Sequence, residues 1–249
     1  MIVSSMSYKE MYDNLAKDKD KVEYRKAYYL PKAIKEFKKA RKFPAWKWYD
    51  YTNPSTGNQY VVFFYVENRL QIEKPICYSF FVYDVDNKRF IIDWGATIIK
   101  QTPNLPMEAV REIRAFSSHF FQRYEERFIK DQNFSSNDVA CRFFARNPDF
   151  MPIEINEEIN NNIGNYNDKA SRGFRVRDGF CFTMSGVEKS VDEDKIDAIV
   201  TVFTTFVTES TMSESQREAI EKGHWKNWLQ CMEVFEKEAK NGNIEFVLQ

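Results

Sequence analysis

"ICYSFFVYDVDNKRFIIDWGA", Ile76 to Ala96, is the stretch on which the fold turns. Two runs rich in β-branched and aromatic residues flank Asp86-Asn87, a pair suited to a tight hairpin turn, and so predict two antiparallel strands. A third run of the same kind, "QYVVFFYVE", precedes them. The three read as an antiparallel meander. Because "VVFFYV" and "YSFFVY" are apolar at successive positions instead of alternating, the sheet is expected to be covered on both faces, which gives helices a surface to pack on.

Working outward, Tyr8, Met11, Tyr12 and Leu15 recur at helical spacing, as do Ala33, Ile34, Phe37 and Ala40 after Pro31. Pro31 suits the first turn of a second helix, so residues up to Arg41 predict a helical hairpin or a bent pair with lysines outside. "FPAWKWYDYTNPSTGNQ" reads as an aromatic linker ending in a turn. Met107 to Phe116 reads either as helix or, from Ile113, as a short strand. Ser118 to about Lys130 predicts a helix, as does "NFSSNDVACRFFARNP", with Ser135 or Ser136 as cap and Asn147-Pro148 as stop. The asparagine-rich stretch that follows reads as a mobile loop. "FRVRDGFCFTMSGVE" and "DAIVTVFTTFVTES" predict two strands joined by polar "KSVDEDK", and helical spacing returns from Thr211 onward. The whole is an α+β fold, an antiparallel sheet packed with helices, in one domain 1–249. Residues 1–45 form a basic helical arm and 46–249 the sheet-containing core.

Composition agrees with a globular chain. Of 249 residues 43% are hydrophobic, and 22 Phe and 13 Tyr against only 8 Gly and 8 Pro point to an aromatic core with few flexible linkers. The net charge of −1 speaks against a surface committed everywhere to a polyanion. The charge is uneven, however: Lys17 to Lys47 is strongly basic, and the region from Asp192 to Asp197 is acidic. Four separated cysteines without a CxxC pair or clustered histidines suggest buried thiols, no metal and no cofactor. With no long apolar stretch and no leader pattern in "MIVSSMSYKEMYDN", the expectation is a cytoplasmic protein with no membrane contact.

"FSSHFFQRYEERF", Phe116 to Phe128, carries the chemistry. On a helix His119, Arg123 and Arg127 form one row, and Phe120, Tyr124 and Phe128 the adjacent, core-facing row. With Ser118 as cap, His119 occupies the first turn, where free backbone N–H groups favour an anion. An imidazole to move a proton and two guanidiniums to clamp a phosphate suit metal-free RNA cleavage. The bland reading is a surface helix whose cations pair with neighbouring carboxylates. Arg142 and Arg146, Arg175 and Arg177 are further candidate phosphate ligands, and Thr204 or Thr205 a candidate donor. His224, beside tryptophans, reads as a helix-start residue. No phosphate-binding glycine loop, zinc-protease motif or serine-hydrolase elbow is present.

From Ser118 to about Thr208, "HFFQRYEERF", "SSNDVACRFFAR", "FRVRDGFCFTM" and "DAIVTVFTTFV" follow one another in an order that resembles the small RNase and toxin group spanning barnase, EndoU, colicin and RelE-type nucleases. That resemblance implies a metal-independent ribonuclease or toxin acting on RNA. His119, Arg123 and Arg127 would be its working residues, with Thr204 or Thr205 beside them. The competing reading is a non-enzymatic protein that holds a protein or other partner through its basic arm or an aromatic sheet surface.

Overall fold

The computed structural model describes residues 2–100, 107–131, 133–153, 172–190 and 195–212, and residues 214, 217, 218, 221 and 240 besides. The asparagine-rich stretch up to residue 171, the acidic link 191–194, His224, Cys231 and nearly all of the helices expected after Thr211 lie outside the described residues.

Among these residues nine strands form one sheet: β1 (Ala45–Thr52), β2 (Gln59–Val66), β3 (Ile76–Val85), β4 (Lys88–Lys100), β5 (Met107–Ser117), β6 (Met151–Ile153), β7 (Arg172–Val176), β8 (Gly179–Lys189) and β9 (Ile196–Val207). Their order is β1-β2-β3-β4-β5-β9-β8-β7-β6. Four helices accompany them: α1 (Tyr8–Ala16), α2 (Lys19–Phe37), α3 (Ser118–Tyr124) and α4 (Ser136–Arg146). The fold is therefore mixed α+β, as expected.

The β3–β4 hairpin forms where the sequence places it. Asp86 and Asn87 take φ of 48° and 60°, the left-handed pair that a two-residue turn requires and that Asp and Asn tolerate best among residues with a side chain. In β2, every residue from Tyr60 to Val66 is buried. Val61, Phe63 and Tyr65 enter a core with Phe116 and Phe120 and with Phe143 of α4, whereas Val62, Phe64 and Val66 meet Ala33 and Phe37 of α2. The sheet is thus covered on both faces, with α3 and α4 on one and α1 and α2 on the other.

Several expectations need correction. The aromatic linker is the edge strand β1, paired in register with β2 from Ala45↔Val66 to Thr52↔Gln59. The helix considered for Met107 to Phe116 is β5, which pairs with β4 over its whole length and with β9 on its other edge. Hydrogen-bonding partners on both sides outweigh a local helical preference that is worth only tenths of a kcal/mol per residue. The sheet is also not wholly antiparallel, because β9 inserts parallel to β5, from Arg111↔Ala198 to Phe116↔Phe203. Pro31 lies inside α2, and the break between helices falls at Lys17 and Asp18. Asp18 gives α2 no side-chain cap because its buried carboxylate is occupied elsewhere, accepting from Thr56 Oγ1 (2.7 Å), Asn58 Nδ2 (2.8 Å), Tyr60 Oη (2.8 Å) and Asn53 Nδ2.

"FRVRDGFCF" is not one strand but a hairpin, with Arg177 and Asp178 in the turn between β7 and β8. Arg175 and Arg177 therefore do not share a strand face. Gly179 closes this turn against β9: a Cβ there would lie 2.3 Å from the Val207 carbonyl oxygen. Ser117, not Ser118, caps α3, accepting from the Phe120 amide at 3.2 Å. After Tyr124 the helix loosens into a single π turn, Glu125–Ile129, which ends at left-handed Lys130. For α4, Ser135 is the cap, reciprocated by Asp138, and Asn147 ends it.

Candidate functional site

The aromatic row of α3 does what its spacing predicts. Phe120 and Tyr124 are fully buried, and Phe128 stacks on Tyr124 with ring centres 5.2 Å apart. The cationic row lies at the surface and is engaged. Arg123 Nη1 pairs with Glu126 at 2.8 Å, and its Nε lies 3.4 Å from His119 Nε2. Arg127 donates to the backbone carbonyl of Phe206 in β9. Hydrogen bonds from Gln122 and Arg123 in turn hold Glu126 below the usual carboxylate range. The groove described below is not lined by His119, Arg123 or Arg127.

Thr204 sits at a bulge. Phe182 pairs with Thr205 and Thr183 with Phe203, so Thr204 is the extra residue, and its hydroxyl donates to the Phe182 carbonyl at 3.0 Å. Thr205 pairs within the ladder. Neither threonine lines the groove described below.

The four further arginines divide. Arg142 spreads its guanidinium over the rings of Trp46 (5.9 Å) and Phe134 (5.7 Å). Arg146, Arg175 and Arg177 instead line one open groove of about 510 Å³ at the C-terminal end of α4, together with Ile76, Pro148 and Met151. Ile76 and Met151 remain 45% and 40% exposed there, which makes the rim apolar between the cations.

Asp178 explains the position of Arg146. Its carboxylate accepts from Arg146 Nε (2.9 Å) and Nη2 (2.8 Å), from Tyr124 Oη (2.6 Å) and from Asn147 Nδ2 (3.1 Å). The Asp178 amide answers by donating to Asn147 Oδ1 at 2.9 Å. The hydrogen bonds to Asp178 push Arg146 further up, and burial, reinforced by Asp178, pushes the Tyr124 hydroxyl up. Arg146 thus reaches the groove as a fixed guanidinium. Arg175 makes a 3.5 Å contact to exposed Glu209 and lies over the Phe180 ring at 6.0 Å, and Arg177, in the exposed turn, has no ion pair or hydrogen bond among the described residues. Among the described residues, Asp149 is the one acidic residue lining the groove.

Asp178 escaped the sequence reading, although the Asp-Gly pair at 178–179 is a hairpin-turn signal. So did Asp93 and Arg114, which face each other directly across β4 and β5 and form a buried ion pair with Phe150 beneath the guanidinium (5.5 Å). Burial pushes the Asp93 carboxyl up against the opposing pull of Arg114 and Tyr78.

Cys77, Cys141 and Cys181 are free thiols. Burial pushes all three above their ordinary value, so none is an activated nucleophile. No group of His, Cys, Asp or Glu among the described residues is placed to hold a metal ion, and no helix among them is long and apolar enough to cross a membrane. Compared with known proteins, the chain matches no family model, no curated protein and no solved structure. The resemblance of residues 118–208 to the small nucleases therefore rests on sequence pattern alone.

Proposed function

We propose that the protein is a binding protein for a small phosphate-bearing ligand, which it takes in the groove lined by Arg146, Arg175 and Arg177. The observation that carries this reading is the convergence of three guanidiniums from separate elements on one open groove of about 510 Å³. That volume falls within the ordinary range for small-molecule sites. The planar guanidinium fork matches phosphate oxygens, and Arg146 is oriented in advance by Asp178, so little freedom is lost when it engages. Ile76 and Met151 offer an apolar surface to the organic part of such a ligand. The free thiols fit a reducing compartment, consistent with a cytoplasmic protein.

Titration calorimetry with pyrophosphate and with adenosine diphosphate tests the reading. Arg177→Ala and Arg175→Ala are each expected to weaken binding about tenfold, the worth of one charge-assisted contact, while Arg142→Ala leaves it unchanged. Equal affinity in all three variants, or no heat in the parent protein, would overturn it.

The alternative, metal-independent RNA cleavage, keeps one favourable observation, the exposed His119 imidazole within 3.4 Å of Arg123. It predicts RNA scission in excess chelator that His119→Ala abolishes without altering Tm; intact RNA in the parent digest would sink it.

A further inference from the structure

Between Lys19 and Lys42 the chain carries ten basic and three acidic residues, a local charge of +7 in a molecule whose total is −1. Among the described residues, ion pairs with Glu23 and Glu73 engage only Lys26 and Lys38 of these. Most of the segment is α2, whose Val22, Ala33 and Phe37 are buried on the sheet. The opposite side is built differently from an ordinary solvated helix. Lys21, Tyr24, Tyr28, Lys32 and Lys35 follow one another at spacings of three and four and so share one face, about 21 Å long at 1.5 Å per residue. Tyr24 and Tyr28 are 65% and 61% exposed, although tyrosine rings are costly to leave in water. The rings are one helical turn apart, a separation of about 5–6 Å at Cβ.

Aromatic order continues from this face towards the sheet edge. Tyr28 meets Tyr29 edge-on at 5.3 Å, and Tyr29 stacks on Tyr49 of β1 at 4.6 Å. Arg25 lies over both Tyr28 (5.7 Å) and Tyr51 (4.8 Å), and Lys32 over Tyr49 at 4.9 Å. These contacts fix the base of the tyrosine platform while leaving the outer faces of Tyr24 and Tyr28 open. Cations alone would serve any polyanion. Two open rings set among them add a surface that only a partner with unpaired, stackable planar groups can use.

We infer that this face of α2 is a docking surface for single-stranded nucleic acid, with bases stacked on Tyr24 and Tyr28 and phosphates running along Lys21, Lys32 and Lys35. Duplexes hide their base faces, and lipid headgroups or acidic protein segments present charge without stacked rings, so each would use the lysines and leave the tyrosines idle. The inference is independent of the arginine groove.

Fluorescence anisotropy with a labelled uridine dodecamer tests it on the full chain. Binding is expected at about 50 mM salt and should weaken as salt rises, with a logarithmic slope of about −0.7 for each phosphate held. Changing Tyr24 and Tyr28 together to Ala should weaken binding at least tenfold with the slope unchanged. Changing Lys32 and Lys35 together to Gln should flatten the slope by about 1.4. Both pairs are exposed, so an unchanged thermal transition confirms that the variants fold. Arg177→Ala should have no effect on this affinity, which separates the result from the groove. No binding in the parent protein, undiminished binding in the tyrosine variant, or tighter binding to a duplex of equal length or to phosphatidylserine vesicles would overturn the inference.

Discussion

Asp178 has a side chain only 2% exposed, yet it is a carboxylate surrounded by donors from α3 and from the end of α4 with its C-cap. A buried charge is tolerable only when its oxygens are fully satisfied, and here removal of the acceptor strands Arg146, whose side chain is 18% exposed. Asp178→Ala should therefore destabilise the protein by about 3–5 kcal/mol, read from urea denaturation. A loss under about 1 kcal/mol would mean that water replaces the carboxylate and that Arg146 is not fixed. None of this was legible beforehand, since the partners lie 31 to 54 residues away in the chain. The neighbouring Phe120 and Tyr124 were legible, because a spacing of four places them on one helical face whatever the rest of the chain does.

At the scale of elements, α4 is anchored by its first turn. Asp138 closes the capping box with Ser135 and also accepts from Trp46 Nε1 and Trp48 Nε1 of β1, at 2.9 and 3.0 Å. Burial alone would push its carboxyl up, but the hydrogen bonds from Ser135, Trp46 and Trp48 outweigh burial and hold it below the ordinary value. A depressed carboxylate stabilises the fold above its unfolded-state pKa, about 3.9, and that contribution is lost as pH falls through the lower folded value. Urea midpoints and tryptophan fluorescence should both drop between about pH 5 and pH 3, and less so in Asp138→Asn. Identical pH profiles for the two proteins would rule this out. The limits of α4 were readable because caps and stops are local chemistry. The nature of β5 was not: "MEAVREIRAF" suits a helix by itself, and only β4 and β9 on either side make it a strand.

Across the whole molecule, β5 and β9 form the seam that joins two antiparallel runs, β1 to β5 and β6 to β9. The seam is sealed by Phe116 and Phe203, stacked with centres 4.1 Å apart, in a core that also holds Phe120, Phe143 and Phe206. Central strands with partners on both edges open only when most of the structure does, so amide hydrogens of Arg111–Phe116 and Ala198–Phe203 should be the slowest to exchange. Exchange there as fast as in edge strand β1 would show that the two halves open separately along the seam.

The hairpin at Asp86-Asn87, the doubly covered β2 and β3, the stop of α4 and its cap to within one residue, and the core row of α3 were determined by sequence alone. Each is written in turn chemistry, periodicity or capping within a few residues. The strand state of β5, its parallel union with β9, the separation of Arg142 from Arg146, Arg175 and Arg177, and the pairing of Asp178 were decided only by tertiary structure. Those outcomes depend on which hydrogen-bond and charge partners distant segments supply, and no local pattern encodes a partner that the fold itself must bring near.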